Sequence, residues 1–334
     1  MSIQQLQTVK KGGPFALVTA PIPKPGAHTV CIRPRAVSLN PIDWKNLHFG
    51  ALVQSWPTVL GIEGAGIVES VGDGVSSFKP GDEVMSWVHR TQDNGAFQDV
   101  YTARENAVAK KPAGLSFEEA TSLPIGFITA ASTIVVGLKV PLPGLSKEDA
   151  TFKPLQSILV LGGSSGVGSA AIQLLHNALP LATIITTSST IHHSHLKSLG
   201  ASVCLERAAQ GDPAAMRAVT PEGSGVDAII DAVGAGAETP AVYDALRSDG
   251  PKLYSLVITR PGVEVPEGIN ASLIDAQSIL DKEPRVLQYL TELLKDGKYR
   301  LPVKVEVVGK GLQAIEKGLE KVPTVSGTKL VITL

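Results

Sequence analysis

Residues 158–174 read ILVLGGSSGVGSAAIQL, a stretch whose parts follow one another as strand, turn and helix. The apolar run is typical of a buried strand, and the residues after the glycines and serines have helical apolar periodicity. Small residues let the backbone approach a pyrophosphate, while a helix N-terminus offers free N–H groups and the positive end of its dipole. An ordinary tight turn is the alternative, but the order of the three parts favours a dinucleotide site. Its predicted contact residues are Gly163, Ser164, Ser165, Gly166, Val167 and Gly168.

The segments that follow this stretch continue to alternate between strand and helix patterns. Strands alternating with helices form parallel sheets that carry helices on both faces. The sequence therefore predicts the α/β class, with a doubly wound parallel sheet of the Rossmann type. The strands are predicted at 157–161, 182–187, 201–205, 226–230 and 252–257, and helices at 167–178 and 192–199.

The first third of the chain has a different pattern, which predicts short strands. Residues 29–33 alternate at period two, and the β-branched run 62–71 ends at the turn 72–74. Short strands with glycine and proline turns favour a β-barrel or sandwich. A second glycine-rich stretch, 61–66 (GIEGAG), is followed by β sequence and no helix, so we interpret it as close backbone packing.

Length, charge and cysteine content limit the class of protein. The 334 residues predict about two domains of roughly 150 residues each. Thirty basic against 31 acidic residues give a net charge of −1, which makes nucleic acid an unexpected partner. Cys31 and Cys204 lie far apart, which excludes a disulfide scaffold and a four-cysteine zinc lobe. This cysteine usage indicates a reducing compartment, and we expect a cytoplasmic protein.

Two segments bear on targeting and on membrane insertion. The N-terminal MSIQQLQTVKK lacks the apolar core of a signal peptide. Residues 122–138 carry no charge, but Pro124, Gly126 and Gly137 interrupt them. The segment is also shorter than the roughly 20 residues that a span needs. We therefore predict a buried helix there and no membrane partner.

The end of the second predicted strand bears on the type of nicotinamide cofactor. Thr187, Ser188 and Ser189 stand where NAD-binding proteins usually place an acidic residue, about 20 residues after the glycine turn. Hydroxyls can donate to a 2′-phosphate, which a carboxylate would repel. Arg207 could reach the same phosphate, and His192 is a further candidate. We predict NADP(H) as the cofactor, with an ordinary polar turn as the alternative.

Two later strand ends and one tail residue are also candidates for cofactor contacts. Strand ends on the carboxyl side of a parallel sheet face the bound ligand. Lys329 follows a Gly–Thr turn in the tail and is a candidate too, although a solvated strand lysine is the alternative. The strand-end residues expected to contact the cofactor are Val233, Gly234, Ser255, Leu256 and Val257.

Several short motifs, taken together, resemble those of one known family. They are NPIDWK (40–45), GIEGAGIV (61–68), KPGDEV (79–84), GAFQ (95–98) and GGSSGVGSAAIQL (162–174). They resemble the medium-chain dehydrogenase/reductase superfamily, in its zinc-independent branch of quinone oxidoreductases and fungal trans-acting enoyl reductases. The resemblance implies a GroES-like β-barrel domain, catalytic and discontinuous, from residues 1–126 and 277–334, and a Rossmann NADP(H)-binding domain from residues 127–276.

The same resemblance implies that this chain lacks a zinc site. The three positions of the family's catalytic zinc ligands fall on Asn40, Ile62 and Ile125, an amide and two aliphatic side chains. We therefore expect no metal, catalytic or structural. A zinc ion would polarise a plain carbonyl as a Lewis acid, whereas a conjugated acceptor can spread the added charge. We expect NADPH-dependent reduction of an activated C=C bond (enal, enone or enoyl) or of a quinone.

Four residues are expected near the nicotinamide from the resemblance: Asn40, Asp43, Lys45 and Thr129. Thr129 could hold the nicotinamide ribose or amide, and Lys45 could donate a hydrogen bond or proton to a developing oxyanion. A surface lysine is the alternative for Lys45, and a structural role bonded to backbone amides is the alternative for Asp43.

Two other functions stay open at this stage. The chain could be a trans-acting enoyl reductase that serves a polyketide synthase and accepts a carrier-bound acyl group in place of a small molecule. It could also be a non-catalytic NADPH-binding protein. Monomer and homodimer are both compatible with the sequence.

Overall fold

The computed structural model describes residues 2–89, 94–147, 152–258 and 263–334. The chain divides into two compact units. Unit 1 comprises Met1–Ile125, Leu290–Lys295 and Lys304–Leu334, and unit 2 comprises Gly126–Tyr289 and Asp296–Val303.

The first third of the chain consists mainly of strands, whereas strands and helices alternate in the middle. In unit 1 the first eight strands are β1 (Ser2–Thr8), β2 (Phe15–Pro21), β3 (Thr29–Leu39), β4 (Thr58–Val59), β5 (Glu63–Val71), β6 (Glu83–Trp87), β7 (Tyr101–Arg104) and β8 (Val108–Lys110). Unit 2 holds β9 (Ser157–Leu161), β10 (Thr183–Ser188), β11 (Val203–Glu206), β12 (Ala228–Asp231), β13 (Leu253–Val257) and β14 (Asn270–Ile274). The tail returns to unit 1 with β15 (Lys304–Lys310) and β16 (Thr328–Thr333).

The α-helices are short, and the longest of them follows β9. In chain order they are α1 (Pro41–Phe49), α2 (Phe117–Ala120), α3 (Pro124–Ser132), α4 (Gly166–Ala178), α5 (His193–Ser198), α6 (Pro213–Ala218), α7 (Gln277–Lys282), α8 (Val286–Lys295) and α9 (Ile315–Leu319). A π-helical turn, Thr133–Gly137, continues α3.

Unit 1 is built on two β-sheets. One has the strand order β15-β16-β3-β5-β6-β8, with β7 pairing to β3, and the other has the order β2-β1-β4. Its pairs are antiparallel apart from β15 with β16. The core includes Val30, Phe97 and Tyr101, all fully buried. The predicted β-rich domain in the first third is therefore confirmed.

The glycine-rich stretch 61–66 packs closely against neighbouring backbone and rings. A Cβ on Gly61, whose φ is +99°, would lie 2.5 Å from the Phe97 ring. On Gly66 it would lie 2.1 Å from the carbonyl oxygen of Arg33. These positions have room only for glycine, in agreement with the packing interpretation.

Unit 2 contains one parallel sheet of six strands. Their order is β11-β10-β9-β12-β13-β14, which is 3-2-1-4-5-6 when the strands are counted from β9. This is the Rossmann order, and it confirms the predicted doubly wound sheet. All five residues of β9 are buried because the strand is central and covered on both faces.

The C-terminal domain boundary differs from the prediction. The first division falls after Ile125, next to the expected residue 126, but residues 277–289 lie in unit 2. Helix α7 packs against the π-helical turn of that unit. Its Ile279 and Leu280, and Val286 and Leu287 of α8, are buried. Burial of these apolar side chains holds the segment in unit 2. The sequence pattern had not assigned them to a core.

One helical run among the described residues, Phe117–Gly137, is long and apolar enough by length and composition to cross a membrane. Of its most apolar window, 89% is buried inside the folded chain. A core helix of this kind satisfies the same criteria without any membrane, which is the reading that the sequence favoured.

Candidate active site

The glycine turn after β9 forms a narrow backbone cradle at the start of α4. Ser165 caps the helix, with its Oγ accepting from the Gly168 amide at 3.0 Å. A Cβ on Gly163 would lie 2.0 Å from Thr186 Oγ1, and one on Gly168 would lie 2.3 Å from the Gly162 carbonyl oxygen. A Cβ on Gly166 would meet nothing within 4 Å. The cradle is therefore closed toward the sheet and open at the first helical turn, where a pyrophosphate could bind.

The loop after β12 is fixed by one buried carboxylate, that of Asp231. Its Oδ1 accepts from the amides of Val233, Gly234 and Ala235 at 2.7 to 3.1 Å. Its Oδ2 accepts from the Gly236 amide at 2.8 Å and from Tyr254 Oη at 2.6 Å. The Tyr254 pKa is raised, by burial first and then by this carboxylate, so the phenol keeps its proton and donates it. The predicted contact residues Val233 and Gly234 thus belong to a preorganised loop.

The hydroxyls at the end of β10 are less available than predicted. Thr187 is buried, and its Oγ1 accepts from Gln210 Nε2 at 2.7 Å. Ser188 is also buried and donates to the Ser189 carbonyl at 3.2 Å. Only Ser189 of the three is exposed. The Thr187 and Ser188 hydroxyls are used inside the chain because alternate residues of a covered strand point to opposite buried faces.

An acidic residue lies beside this strand end, although it comes from β11. Glu206 is paired in register with Ser188, and its Oε1 accepts from Thr190 Oγ1 at 2.9 Å. The sequence of the loop after β10 does not contain this residue, which reaches the strand end through the pairing of β10 with β11.

A cluster of basic side chains adjoins the same strand end. Burial lowers the pKa of His192, and the charges of His195, Arg207 and His193 lower it further. His195 Nε2 lies 2.9 Å from the Pro302 carbonyl oxygen. Within the described ranges there is no group of three or more His, Cys, Asp or Glu side chains placed to hold a metal.

The predicted contact residues of β13 differ in how far their side chains are exposed, and their contact with a cofactor stays a prediction. Ser255 is fully buried, and its Oγ faces Gly137, where a Cβ would lie only 2.0 Å away. Leu256 is buried as well. Their side chains fill the interior of unit 2, so Val257, half-buried at the strand end, is the one that remains open to a ligand.

In unit 1, Lys329, whose side chain is 13% exposed, forms an ion pair with the fully buried Glu63. Its Nζ lies 2.5 Å from Glu63 Oε1 and 2.5 Å from Asn40 Oδ1. Glu63 is fully buried, and its Oε2 accepts from the Ile125 amide at 2.9 Å. Ser38 Oγ lies 2.5 Å from Glu63 Oε1. The sequence predicted neither of these partners. Lys329 is not a solvated strand lysine, and its contact with the cofactor stays a prediction.

The other predicted catalytic residues lie on two helices. Asp43 is buried in the first turn of α1, and its Oδ2 accepts from the backbone amide of Asn40 at 3.1 Å. This contact is the structural role that the sequence left open for Asp43. Lys45 is half-buried on the same helix. Thr129 lies in α3 of unit 2 and is 5% exposed.

The residues that surround Glu63 do not suit a zinc ion. Asn40 already gives its amide oxygen to an ammonium, and Ile62 and Ile125 have no side-chain donor atom. Zinc in proteins requires three or four Cys, His or carboxylate ligands. The positive charge in this cluster is that of Lys329.

Comparisons with known proteins agree with this architecture. The model of the alcohol dehydrogenase GroES-like domain family matches residues 26–124, and that of the zinc-binding dehydrogenase family matches residues 166–291. Dehydrogenase orf1 of Aspergillus niger is 30% identical over 94% of both chains. Trans-enoyl reductase tndF of Aspergillus flavipes is 31% identical, covering 97% of this chain and 96% of the relative. The crystal structure of a quinone oxidoreductase from Pseudomonas syringae superposes with a TM-score of 0.77 at 25% identity, over 100% of both chains.

The β-rich unit and the Rossmann unit together define the architecture of nicotinamide-dependent dehydrogenases. The chain belongs to the medium-chain dehydrogenase/reductase superfamily. It is an oxidoreductase of that family, whose members bind a nicotinamide cofactor.

The sequence alone did not predict the contacts that Glu63, Asp231 and Glu206 make. Glu63 stood inside the GIEGAG stretch, where an acidic residue in an otherwise apolar β run is the signal of a buried pair. Asp231 ends a buried strand just before a glycine, a position where a carboxylate can accept several backbone amides. Ser38 had no signal that distinguished it from other strand serines.

Proposed function

We propose that this oxidoreductase uses NADPH to reduce an activated C=C bond, in an enal, enone or enoyl thioester, or a quinone. The observation that carries the proposal is the unit 1 cluster, in which Asn40, Ile62 and Ile125 offer no zinc ligands and a lysine supplies the positive charge. Simple alcohols and ketones then lack a Lewis acid. A conjugated acceptor spreads the added charge over an enolate or quinol and needs only hydrogen-bond donors.

The chain's own residues bind the cofactor and position the reactants. The amides of the first turn of α4 hold the pyrophosphate, and the loop fixed by Asp231 supports the dinucleotide. When bound, the reduced nicotinamide supplies the hydride. Thr129 positions the nicotinamide ribose or amide, and Lys45 donates a hydrogen bond or proton to the developing oxyanion.

The choice of NADP(H) over NAD(H) is supported by Arg207, which lies close to His192 near the end of β10. A guanidinium favours a phosphate dianion, to which it can donate two hydrogen bonds. The Glu206 carboxylate would repel a 2′-phosphate and so opposes this choice, but it accepts a hydrogen bond from Thr190 Oγ1, which fixes its position. Ser189 and Arg207 are then the groups that take the 2′-phosphate.

A second candidate is a trans-acting enoyl reductase that serves a polyketide synthase. The similarity to trans-enoyl reductase tndF, which extends over nearly the whole of both chains, favours it. The substrate would then be an acyl group bound to a carrier and not a free small molecule.

A substrate screen with NADPH consumption as the readout tests both candidates. The panel contains cinnamaldehyde, menadione, the crotonyl thioester of N-acetylcysteamine, the same acyl group on an acyl carrier protein, and ethanol with NADP⁺ as a negative control. Turnover of free enals or quinones supports the first proposal, and turnover of the carrier-linked acyl group alone supports the second. Cofactor binding without turnover of any acceptor would instead indicate a non-catalytic NADPH-binding protein.

We also propose that the protein acts in the cytoplasm, as a monomer or homodimer, without nucleic acid or membrane as a partner. The balanced charge of −1 and the two separated cysteines support this. Light scattering of the purified protein measures the oligomeric state, and a tetramer would contradict the proposal.

A further inference from the structure

The orientation of the Asn40 carboxamide is determined by the Glu63–Lys329 ion pair. Lys329 Nζ lies 2.5 Å from Asn40 Oδ1, and an ammonium has only donors. The amide oxygen must therefore face Lys329, and Nδ2 must face away from it. Glu63 holds the ammonium at 2.5 Å and is itself held by the Ile125 amide and by Ser38.

The Nδ2 atom of Asn40 is a buried donor without an acceptor in the described part of the chain. Asn40 is 3% exposed, so the amide hydrogens are not simply solvated. Buried donors are almost always satisfied in native proteins, by a protein group, a water molecule or a ligand. What distinguishes a ligand from these alternatives at Asn40 Nδ2 must come from the surroundings of that atom.

The surroundings of Nδ2 favour a partner that carries negative charge. Asn40 precedes the first turn of α1, a nine-residue helix whose N-terminus is the positive end of its dipole. The neighbouring Lys329 ammonium polarises the amide through its oxygen, which makes the Nδ2 hydrogens better donors.

We propose that Asn40 Nδ2 donates a hydrogen bond to the carbonyl oxygen of the acceptor, and that Lys329 and Glu63 are the positioning residues that aim it. This inference rests on the proposed function and names a second group, in addition to Lys45, that stabilises its oxyanion. The acceptor's β-carbon gains a hydride, the π electron pair of the C=C bond shifts toward the carbonyl, and the oxygen becomes an enolate oxygen. Asn40 stabilises that charge, and water later gives a proton to the α-carbon.

The first test compares two matched variants of α1. Asn40→Asp keeps an acceptor for Lys329 and removes the Nδ2 donor. Asn46→Asp is the control, because Asn46 lies six residues further along in α1 and is also buried. Its Nδ2 likewise has no acceptor in the described residues, and its Oδ1 accepts from the Leu52 backbone amide. We expect Asn40→Asp to lower kcat by at least about 100-fold, while the NADPH Kd changes by less than about three-fold. Asn46→Asp should keep wild-type kcat when its unfolding midpoint shows that it is folded.

The second test leaves Asn40 in place and removes the groups that aim it. Glu63→Gln/Lys329→Met removes both charges of the pair, so no lone buried charge is left. The Asn40 carboxamide is then free to rotate and exchange the positions of Oδ1 and Nδ2. We expect kcat to fall by at least about ten-fold with an unchanged NADPH Kd, and Lys329→Arg to retain most of the activity. The control is Arg33→Met/Glu69→Gln, an exposed pair of the same unit, which should behave as wild type.

The outcomes separate this inference from the proposed function. If the wild-type protein reduces cinnamaldehyde, menadione or the crotonyl thioester but Asn40→Asp matches Asn46→Asp, a water satisfies Nδ2 and the inference is wrong. The same conclusion follows if Glu63→Gln/Lys329→Met is as active as wild type. If the wild-type protein binds NADPH and reduces none of these acceptors, the proposed function itself has failed.

Discussion

The ion pair of Lys329 with Glu63 is the clearest feature of this protein at the scale of single residues. A lysine in a C-terminal strand has the same local sequence whether it is solvated, bound to a cofactor or buried in an ion pair. Its state follows from Glu63, which the pairing of β16 with β3 and of β3 with β5 brings to it. Because little of either side chain is exposed, the charge of each residue is stabilised mainly by the charge of the other.

We expect Lys329→Met to destabilise the protein by about 3–5 kcal/mol, because the fully buried Glu63 carboxylate is left uncompensated. Glu63→Gln/Lys329→Met should recover most of this loss. The free energy of unfolding in urea measures both variants. A loss below about 1 kcal/mol in Lys329→Met, the value expected for the exposed Arg33–Glu69 pair, would show that the buried pair does not act as described.

A second residue-scale prediction concerns His192, whose pKa is lowered by burial and by the charges of His195, Arg207 and His193. Near neutral pH its imidazole is therefore uncharged in the free protein. A 2′-phosphate bound beside it would favour the charged form and raise its pKa, so binding would take up a proton. Calorimetry of NADPH binding at about pH 6.5, in buffers of different ionisation enthalpy, should show less uptake in His192→Gln than in wild type. NADH, which lacks the phosphate, should show no difference between the two proteins.

At the scale of elements, the cradle of β9 and α4 was predictable because its signals are contiguous. Ser157–Leu161 is a strand with the predicted bounds, and α4 begins one residue before the predicted start. Strands β1 and β2 and helix α1 were not predicted. In β1 the buried Ile3 and Leu6 are separated by glutamines, and α1 lacks an apolar stripe, so neither has a clear period.

The cradle offers a matched pair of glycine variants. Gly168→Ala should destabilise the protein by about 1–3 kcal/mol, since the new Cβ would lie 2.3 Å from the Gly162 carbonyl oxygen. Gly166→Ala has open space and should leave the free energy of unfolding within about 0.5 kcal/mol of wild type. It should nevertheless weaken NADPH binding, since its methyl group projects where the pyrophosphate is expected. Urea unfolding and fluorescence titration measure the two effects, and equal NADPH affinity in Gly166→Ala and wild type would place the cofactor elsewhere.

At the scale of the whole molecule, the interleaving of two units limits what a linear reading can assign. The change from β-rich to βαβ pattern begins at about residue 117, and it was the family resemblance that implied a boundary at 126/127, one residue from the division after Ile125. No change of pattern marks the return to unit 1, because α8 crosses the boundary and residues 296–303 belong to unit 2.

Cofactor binding should be visible in the stability of the folded chain. At a concentration about 100-fold above its Kd, a ligand that binds only the native state adds about 2.7 kcal/mol. We expect NADPH to raise the unfolding temperature by more than the same concentration of NADH does, because only NADPH carries the phosphate that Arg207 can pair with. Thermal unfolding followed by circular dichroism compares them, and Arg207→Ala should reduce the difference. A larger shift with NADH would mean that Glu206 sets the preference.

The amino-acid sequence by itself determined the class of fold, the doubly wound sheet and the position of the glycine-rich turn between β9 and α4. These features depend on residue types and on spacing within a few turns or strands, where local periodicity and glycine geometry act. The tertiary structure alone decided the partners of Lys329, the approach of Glu206 to the end of β10, and the burial of the Thr187 and Ser255 hydroxyls. Each of these depends on strand pairing or packing between distant segments, and burial then changes which charges and hydroxyls are free to act.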